Sequence, residues 1–309
     1  MADQGGAGSL TDVRGVHVGH FTVDEGEIQT GLTVILPYPH SVRHRKLFLA
    51  GASSGGGGDW TGLEVAEDFG TFASPIVLCN ATTVGIAYDA LITRGHRRDP
   101  ELPVDDGWPP VVLGLDDGYL NDLRRRRITH DEVLRAVEQA SAAPPARGSV
   151  GIGRGLTALG GKGGVGDSAA RVPAAGAEHT LGALVAANGG AGAARAVTPG
   201  FVVVLATDAP LFPEQLRALC DAALRGLDAA APPFGIEARQ ALAFSTVNAI
   251  EGSLEESFRL YPARRLGEEA LGALMEPAAV VTRGALGRAL AAATAVTGRK
   301  GRRAEPVAR

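Results

Sequence analysis

The stretch FVVVLATD, Phe201 to Asp208, is apolar almost to its end. A strand with one wet face would show a polar residue at every second place, and this one does not. It therefore reads as a buried strand, which needs other layers to cover it. SPIVLCN (Ser74 to Asn80) is a second continuous apolar strand, and PPVVLGLDDG (Pro109 to Gly118) a third that leads into a turn. TGLTVILPY (Thr30 to Tyr38) is a strand ended by proline, HTLGALVAANGG (His179 to Gly190) a strand ending at Asn188, and QALAFSTVN (Gln240 to Asn248) a further one. Helices are predicted over Thr83 to Gly95, Thr129 to Ser141, Phe212 to Leu227 and Glu276 to Val296, with a short helical piece in GLEVAEDFG. The clearest is the second: Thr129 and Glu132 form a capping box, and Val133, Leu134, Val137 and Ala140 make its apolar stripe. Several strands follow one another without a helix between them, which favours a layered α+β fold over a doubly wound sheet.

The chain has 309 residues, 45% of them hydrophobic, enough for one large core. It shows no internal repeat and no dividing linker. Residues 1–9 are small and polar and are expected to be disordered, residues 10–297 to form a single domain, and the basic stretch 298–309 to be a loose tail. A net charge of −4 gives no reason to expect nucleic acid or an acidic membrane surface. No apolar run approaches the roughly 18 residues of a membrane span, and the first residues lack a basic-then-apolar signal pattern. Cys79 and Cys220 are far apart in apolar settings and read as buried free thiols of a cytoplasmic protein.

Most motifs have a plain reading. GKGGVG (Gly161 to Gly166) matches a dinucleotide fingerprint formally, but no clear strand and helix flank it, so turns and close packing explain it better. HVGH (His17, His20) lacks the partners a metal site would need. The run from Leu123 to Arg127 reads as a solvated face or a subunit contact. DDGYLNDLR (Asp116 to Arg124) is more unusual: it crowds aspartates, a tyrosine and an asparagine onto a turn after a buried strand, where catalytic groups often sit.

Taken together, TDVRGVHVGHFT, CNATTVGIAYDAL, PVVLGLDDGYLNDLRRRRIT, GSVGIGRGLTALGGKGGVGDSAARV, LGALVAANGG and VVVLATDAPLFPEQL resemble the DmpA-type L-aminopeptidase and D-amino-acid esterase-amidase family, which includes the β-peptidyl aminopeptidases. The resemblance covers most of residues 10–250 in the family's order. It implies an αββα four-layer sandwich like that of N-terminal-nucleophile hydrolases. It also implies cleavage of the chain before a Ser or Thr whose freed amine activates its own hydroxyl, no cofactor, and assembly into homo-oligomers. The substrates it implies are small peptides, amides or esters.

Carried over residue by residue, the resemblance gives a depleted site. Tyr119 falls on the family's active-site tyrosine, and Asn188 on an asparagine of the oxyanion hole. Counting back from Ala206 puts the nucleophile at Gly200, which has no side chain. The family's Ser-Gly-acid cluster is replaced by Glu237, Ala238 and Arg239, its Glu-Cys-Asn by Gly114 to Asp116, and its Asn-Gly-Phe-Gly loop by Gly55 to Gly58. The expectation is an uncleaved, hydrolase-deficient scaffold whose old pocket, with Asp116, Asp117, Glu237 and Arg239, takes a small peptide-like or amine ligand. Two alternatives stand beside it. One is an active enzyme with a displaced nucleophile at Thr198, although Pro199 restricts that residue; the other is a pocket reused for different chemistry by Tyr119, Asp116, Asp117 and Asn188.

Overall fold

The structure, a computed structural model, describes residues 6–38, 45–55, 60–100, 109–189, 200–230, 238–250 and 262–307. Two sheets form its centre. The smaller runs β1 (His17–Glu25), β2 (Ile28–Leu36), β5 (Ile76–Asn80), β6 (Val111–Leu115). The larger runs β4 (Thr71–Phe72), β3 (Lys46–Ser54), β12 (Arg239–Ile250), β11 (Phe201–Thr207), β10 (Ala177–Ala187), β9 (Gly164–Ala174).

The alternation of β11 shows how the layers stack. Val202, Val204 and Ala206 join Ile35, Ile76, Leu78 and Leu113 of the smaller sheet in the core between the sheets. Phe201, Val203 and Leu205 point the other way, into a core under α4 (Pro213–Ala230) and α5 (Glu268–Ala291). The smaller sheet does the same: Val34, Val77 and Val112 pack against α2 (Val84–Arg98) and α3 (His130–Glu138). Helix, sheet, sheet, helix is the αββα order, and every side chain of β11 is at most 1% exposed. A strand covered on both faces has no use for a polar position, which is why Phe201 to Thr207 carries none before its last residue.

Close approach sets the outer layer. A Cβ on Gly166 of β9 would stand 2.3 Å from the Ala289 nitrogen and 2.4 Å from the Ala285 oxygen, so only glycine lets α5 lie this near the sheet. Helix α3 has the predicted capping box of Thr129 and Glu132. Cys79 and Cys220 are buried free thiols.

Three expectations need correction. Helix α5 starts at Glu268 rather than Glu276, and Pro277 stands in its interior; a proline near an apolar run reads as a helix start because first turns tolerate it. The N-terminal residues from Gly6 are not loose. Arg288 donates to the carbonyls of Gly6 (2.8 Å) and Gly8 (2.9 Å), and the buried Asp167 accepts from Ser9 Oγ (2.6 Å), Leu10 N (2.8 Å) and Arg147 Nε (2.6 Å). Nor is the basic tail loose through residue 307. β13 (Val296–Thr297) pairs with β14 (Arg303–Ala304), and Lys162 N donates to the Glu305 carbonyl at 2.6 Å. In both segments small or charged residues look unstructured by composition but find carbonyl and carboxylate partners far away in sequence.

Asp167→Ala would leave the Leu10 amide and the Arg147 guanidinium without their acceptor. We expect a loss of about 3 kcal/mol in urea unfolding, with unchanged unfolding cooperativity in the rest of the chain.

Candidate active site

β10 and β11 are antiparallel, with Ala186 opposite Val202. The end of one strand therefore meets the start of the other, which sets Asn188 beside Gly200. The Asn188 carbonyl oxygen lies 3.4 Å from the place a Gly200 Cβ would occupy. The Asn188 side chain is 2% exposed; its Nδ2 donates to the Asp116 carbonyl at 2.9 Å, and its Oδ1 accepts from Thr157 N at 3.4 Å. Thr157 belongs to the two-residue strand β7 (Thr157–Ala158), paired with β8 (Gly161–Lys162). Asn188 thus ties the loop after β6 in one sheet to the strand ends of the other.

That loop holds the other candidates. Asp116 caps its own turn, Oδ1 accepting from Gly118 N at 2.8 Å. Asp117 is 1% exposed; it accepts from Thr30 Oγ1 (2.5 Å) and Asn121 Nδ2 (3.0 Å), and Asn80 Nδ2 donates to Thr30 Oγ1 at 3.2 Å. Among the described residues no cation bonds it, so loss of solvation dominates and pushes its carboxyl up to about 7, against the pull of the Thr30 and Asn121 hydrogen bonds.

Tyr119 is half-buried, and its ring lies under the Arg302 guanidinium, 5.0 Å from carbon to centroid. Arg299 Nη1 donates to the Gly118 carbonyl at 2.9 Å, and Arg299 N to the Leu120 carbonyl at 2.7 Å. The C-terminal stretch therefore holds the Asp-Gly-Tyr-Leu turn from outside.

The structure brings together Asp116, Asn188 and Gly200, with Asp117 and Tyr119 on the same loop as Asp116. It sends Arg239 elsewhere. Arg239 shares the face of Ala241 and Ala243, the face under the helices, and its Nη1 meets Asp228 of α4 at 2.8 Å. The pocket role expected of Arg239 is thus not what the geometry gives: one residue's shift along β12 decides which face a side chain takes. Thr198 and Glu237 lie outside the described residues.

Sequence reasoning missed Lys162, whose Nζ is buried and donates to the carbonyls of Gly153 (2.6 Å), Leu156 (2.8 Å) and Gly163 (3.0 Å). Three acceptors match the three protons of an ammonium group, while burial lowers its pKa to about 7. A lone lysine among glycines was the only signal. GKGGVG, expected as a turn, is instead β8 followed by the start of β9, with only Gly163 between them. His20 of the HVGH pair is half-buried, with Nδ1 3.0 Å from Thr33 Oγ1, and loss of solvation lowers its pKa to about 4, so it stays neutral at pH 7. Among the described residues no group of three or more His, Cys, Asp or Glu is arranged to hold a metal ion.

The description "Peptidase family S58" matches residues 8–304. The chain belongs to peptidase family S58. It is 32% identical over 292 residues to the β-peptidyl aminopeptidase BapA of Sphingosinicella xenopeptidilytica, covering 80% of this chain and 71% of that one. It is 30% identical over 344 residues to the BapA of Sphingosinicella microcystinivorans, covering 96% and 84%. Among solved structures, the L-aminopeptidase D-Ala-esterase/amidase of Ochrobactrum anthropi superposes with a TM-score of 0.88 at 29% identity. It is described as a prototype of the serine aminopeptidases and a variant of the Ntn hydrolase fold. The match covers 98% of this S58 chain and 92% of that one. A Burkholderia sp. β-aminopeptidase gives a TM-score of 0.86 at 32% identity over the same shares. The S58 fold is thus the αββα sandwich derived above from strand alternation.

Because Asp117 ionises at about 7 when folded and near 3.8 otherwise, the folded chain holds a proton through that window and the unfolded chain does not. This group therefore makes stability fall as pH rises from 4 to 7. Between pH 5 and pH 7.5 in urea unfolding, the wild type should lose roughly 2–4 kcal/mol relative to Asp117→Asn.

Proposed function

We propose that this S58 member remains one uncut chain and lacks the covalent hydrolysis step. On this reading it serves in the cytoplasm as a self-assembling scaffold that binds a small peptide-like or amine-bearing ligand. The observation that carries the reading is Gly200. It sits at the start of β11 against Asn188, where the family resemblance puts the nucleophile, and it offers a hydrogen. Covalent acyl transfer needs an oxygen or sulfur there, and loss of a nucleophile costs roughly 10⁶ in kcat in hydrolases where it has been removed.

The surroundings of Gly200 support the same reading. A Cβ there would stand 2.2 Å from the Ala238 carbonyl oxygen, far inside van der Waals contact. A serine placed at this position needs the β12 entry to move. Arg239 is turned to Asp228, so the stretch that should supply an acid partner supplies an ion pair to a helix instead.

Denaturing mass spectrometry of the purified protein should give a single species of 31.6 kDa. Gly200→Ser should remain uncut and hydrolyse neither alanine p-nitroanilide nor β-alanyl dipeptides. Two fragments dividing near residue 200, with hydrolysis that disappears in Thr198→Ala, would replace this reading with an active enzyme. Hydrolysis by the intact chain that depends on Tyr119 would instead point to a reused pocket.

A further inference from the structure

The larger sheet has an edge that the fold leaves largely unpaired. β4 covers β3 only at Leu47 and Phe48, through Phe72 and Thr71. Beyond that point, on the side away from β12, no strand continues the sheet among the described residues.

Backbone groups alternate in direction along a strand. The Gly51 amide points outward, because it donates to Glu67 Oε1 of α1 (Leu63–Phe69) at 3.0 Å. Ser53 has the same parity, so its N–H and C=O also point outward. Glu67 takes the place that a neighbouring strand's carbonyl would fill at Gly51. One step along, Ser53 is exposed.

A cleft of about 630 Å³ runs along this edge, lined among others by Ser53, Trp60, Leu63, Glu64, Arg217 and Gln240. That volume suits a small ligand. Its walls carry charges of both signs. Glu64 on α1 is exposed, and Arg217 of α4 reaches Glu67 at 2.8 Å. Ser53 and Gln240 are register partners across β3 and β12. Gln240 puts a polar side chain on a strand whose next residues, Ala241 to Phe244, are all apolar and buried.

Outward backbone donors and acceptors, a carboxylate and a guanidinium describe the chemistry of a short peptide with charged ends. We propose that a short extended peptide with a free α-amine docks along β3 at Ser53, beyond the Gly51 amide that Glu67 occupies. It adds to the sheet by main-chain hydrogen bonds to Ser53 N–H and C=O, with its amine toward Glu64. The inference rests on the ligand-binding part of the function proposed above. It names a place for the ligand on the β3 edge rather than at Gly200.

The test uses the full-length protein, tri-alanine as the probe, and calorimetry together with amide hydrogen exchange. Ser53→Pro removes the outward N–H while leaving the bonds to β12, since proline is tolerated on a sheet edge. It should weaken tri-alanine binding by about tenfold or more, whereas Ser53→Ala should bind as the wild type does. Exchange at the Ser53 amide should slow when tri-alanine is present, and N-acetylation of the probe should weaken binding in the wild type but not in Glu64→Gln. If Ser53→Pro does not fold, tri-alanine methylated on its backbone nitrogens serves instead and should not bind the wild type.

Equal binding by Ser53→Pro and Ser53→Ala, protection at Asn188 and Gly189 in place of Ser53, or no binding by the wild type would overturn the proposal. The intact mass of the same samples reports separately on whether the chain is uncut. A failed dock in an uncut chain therefore leaves that part of the functional reading standing.

Discussion

The burial of β11 on both faces is the constraint on which the rest of the molecule depends. Its first six residues, Phe201 to Ala206, send alternate side chains into two separate cores, and neither core can lose them without exposing the other layer. Full burial of one such valine or leucine side chain is worth about 1.5–3 kcal/mol, so this short strand outweighs any single polar contact described above. The doubly covered strand also has to begin somewhere, and its first residue follows Gly200 at the mouth of the sandwich. The position of the site is thus a by-product of where the layers end.

Much of this was open to reading from the sequence. The apolar runs at Ser74 to Asn80, Pro109 to Gly118 and Phe201 to Asp208 fall on β5, β6 and β11, because strands hidden on both faces advertise themselves by lacking polar residues. The capping box at Thr129 was legible because it is local. What escaped reading was non-local. Nothing near Lys162 in the chain announces that three carbonyls surround its ammonium group, and nothing near Gly6 announces Arg288. The face taken by Arg239 depends on its register against β11, which composition does not reveal. In the site itself, Asn188 and Gly200 were named from the family resemblance, and strand pairing sets them side by side. Tyr119 was named in the same way, but its arginine cover comes from the far end of the chain.

The two charged groups buried beside the site show how one scaffold treats opposite signs. Asp117 is held by two neutral donors and stays reluctant to ionise. Lys162 is held by three neutral acceptors, which suit its charged form although burial opposes it. Among the described residues neither bonds to an opposite charge. Both instead fasten backbone: Asp117 joins its loop to β2, and Lys162 gathers the turns between Gly153 and Gly163. These fastenings lie in the loop after β6 and around Gly153 to Gly163, within a frame that superposes on the Ochrobactrum anthropi aminopeptidase with a TM-score of 0.88.

The clasp of Arg299 and Arg302 on Gly118, Leu120 and Tyr119 has a bearing on biosynthesis. A ribosome releases the Tyr119 turn long before it has made the arginines that fasten it. Through most of translation this turn must wait without its cover, while the strands behind it are already able to pair. A nascent chain stalled before Arg299 would therefore carry both sheets and still present an unfinished mouth.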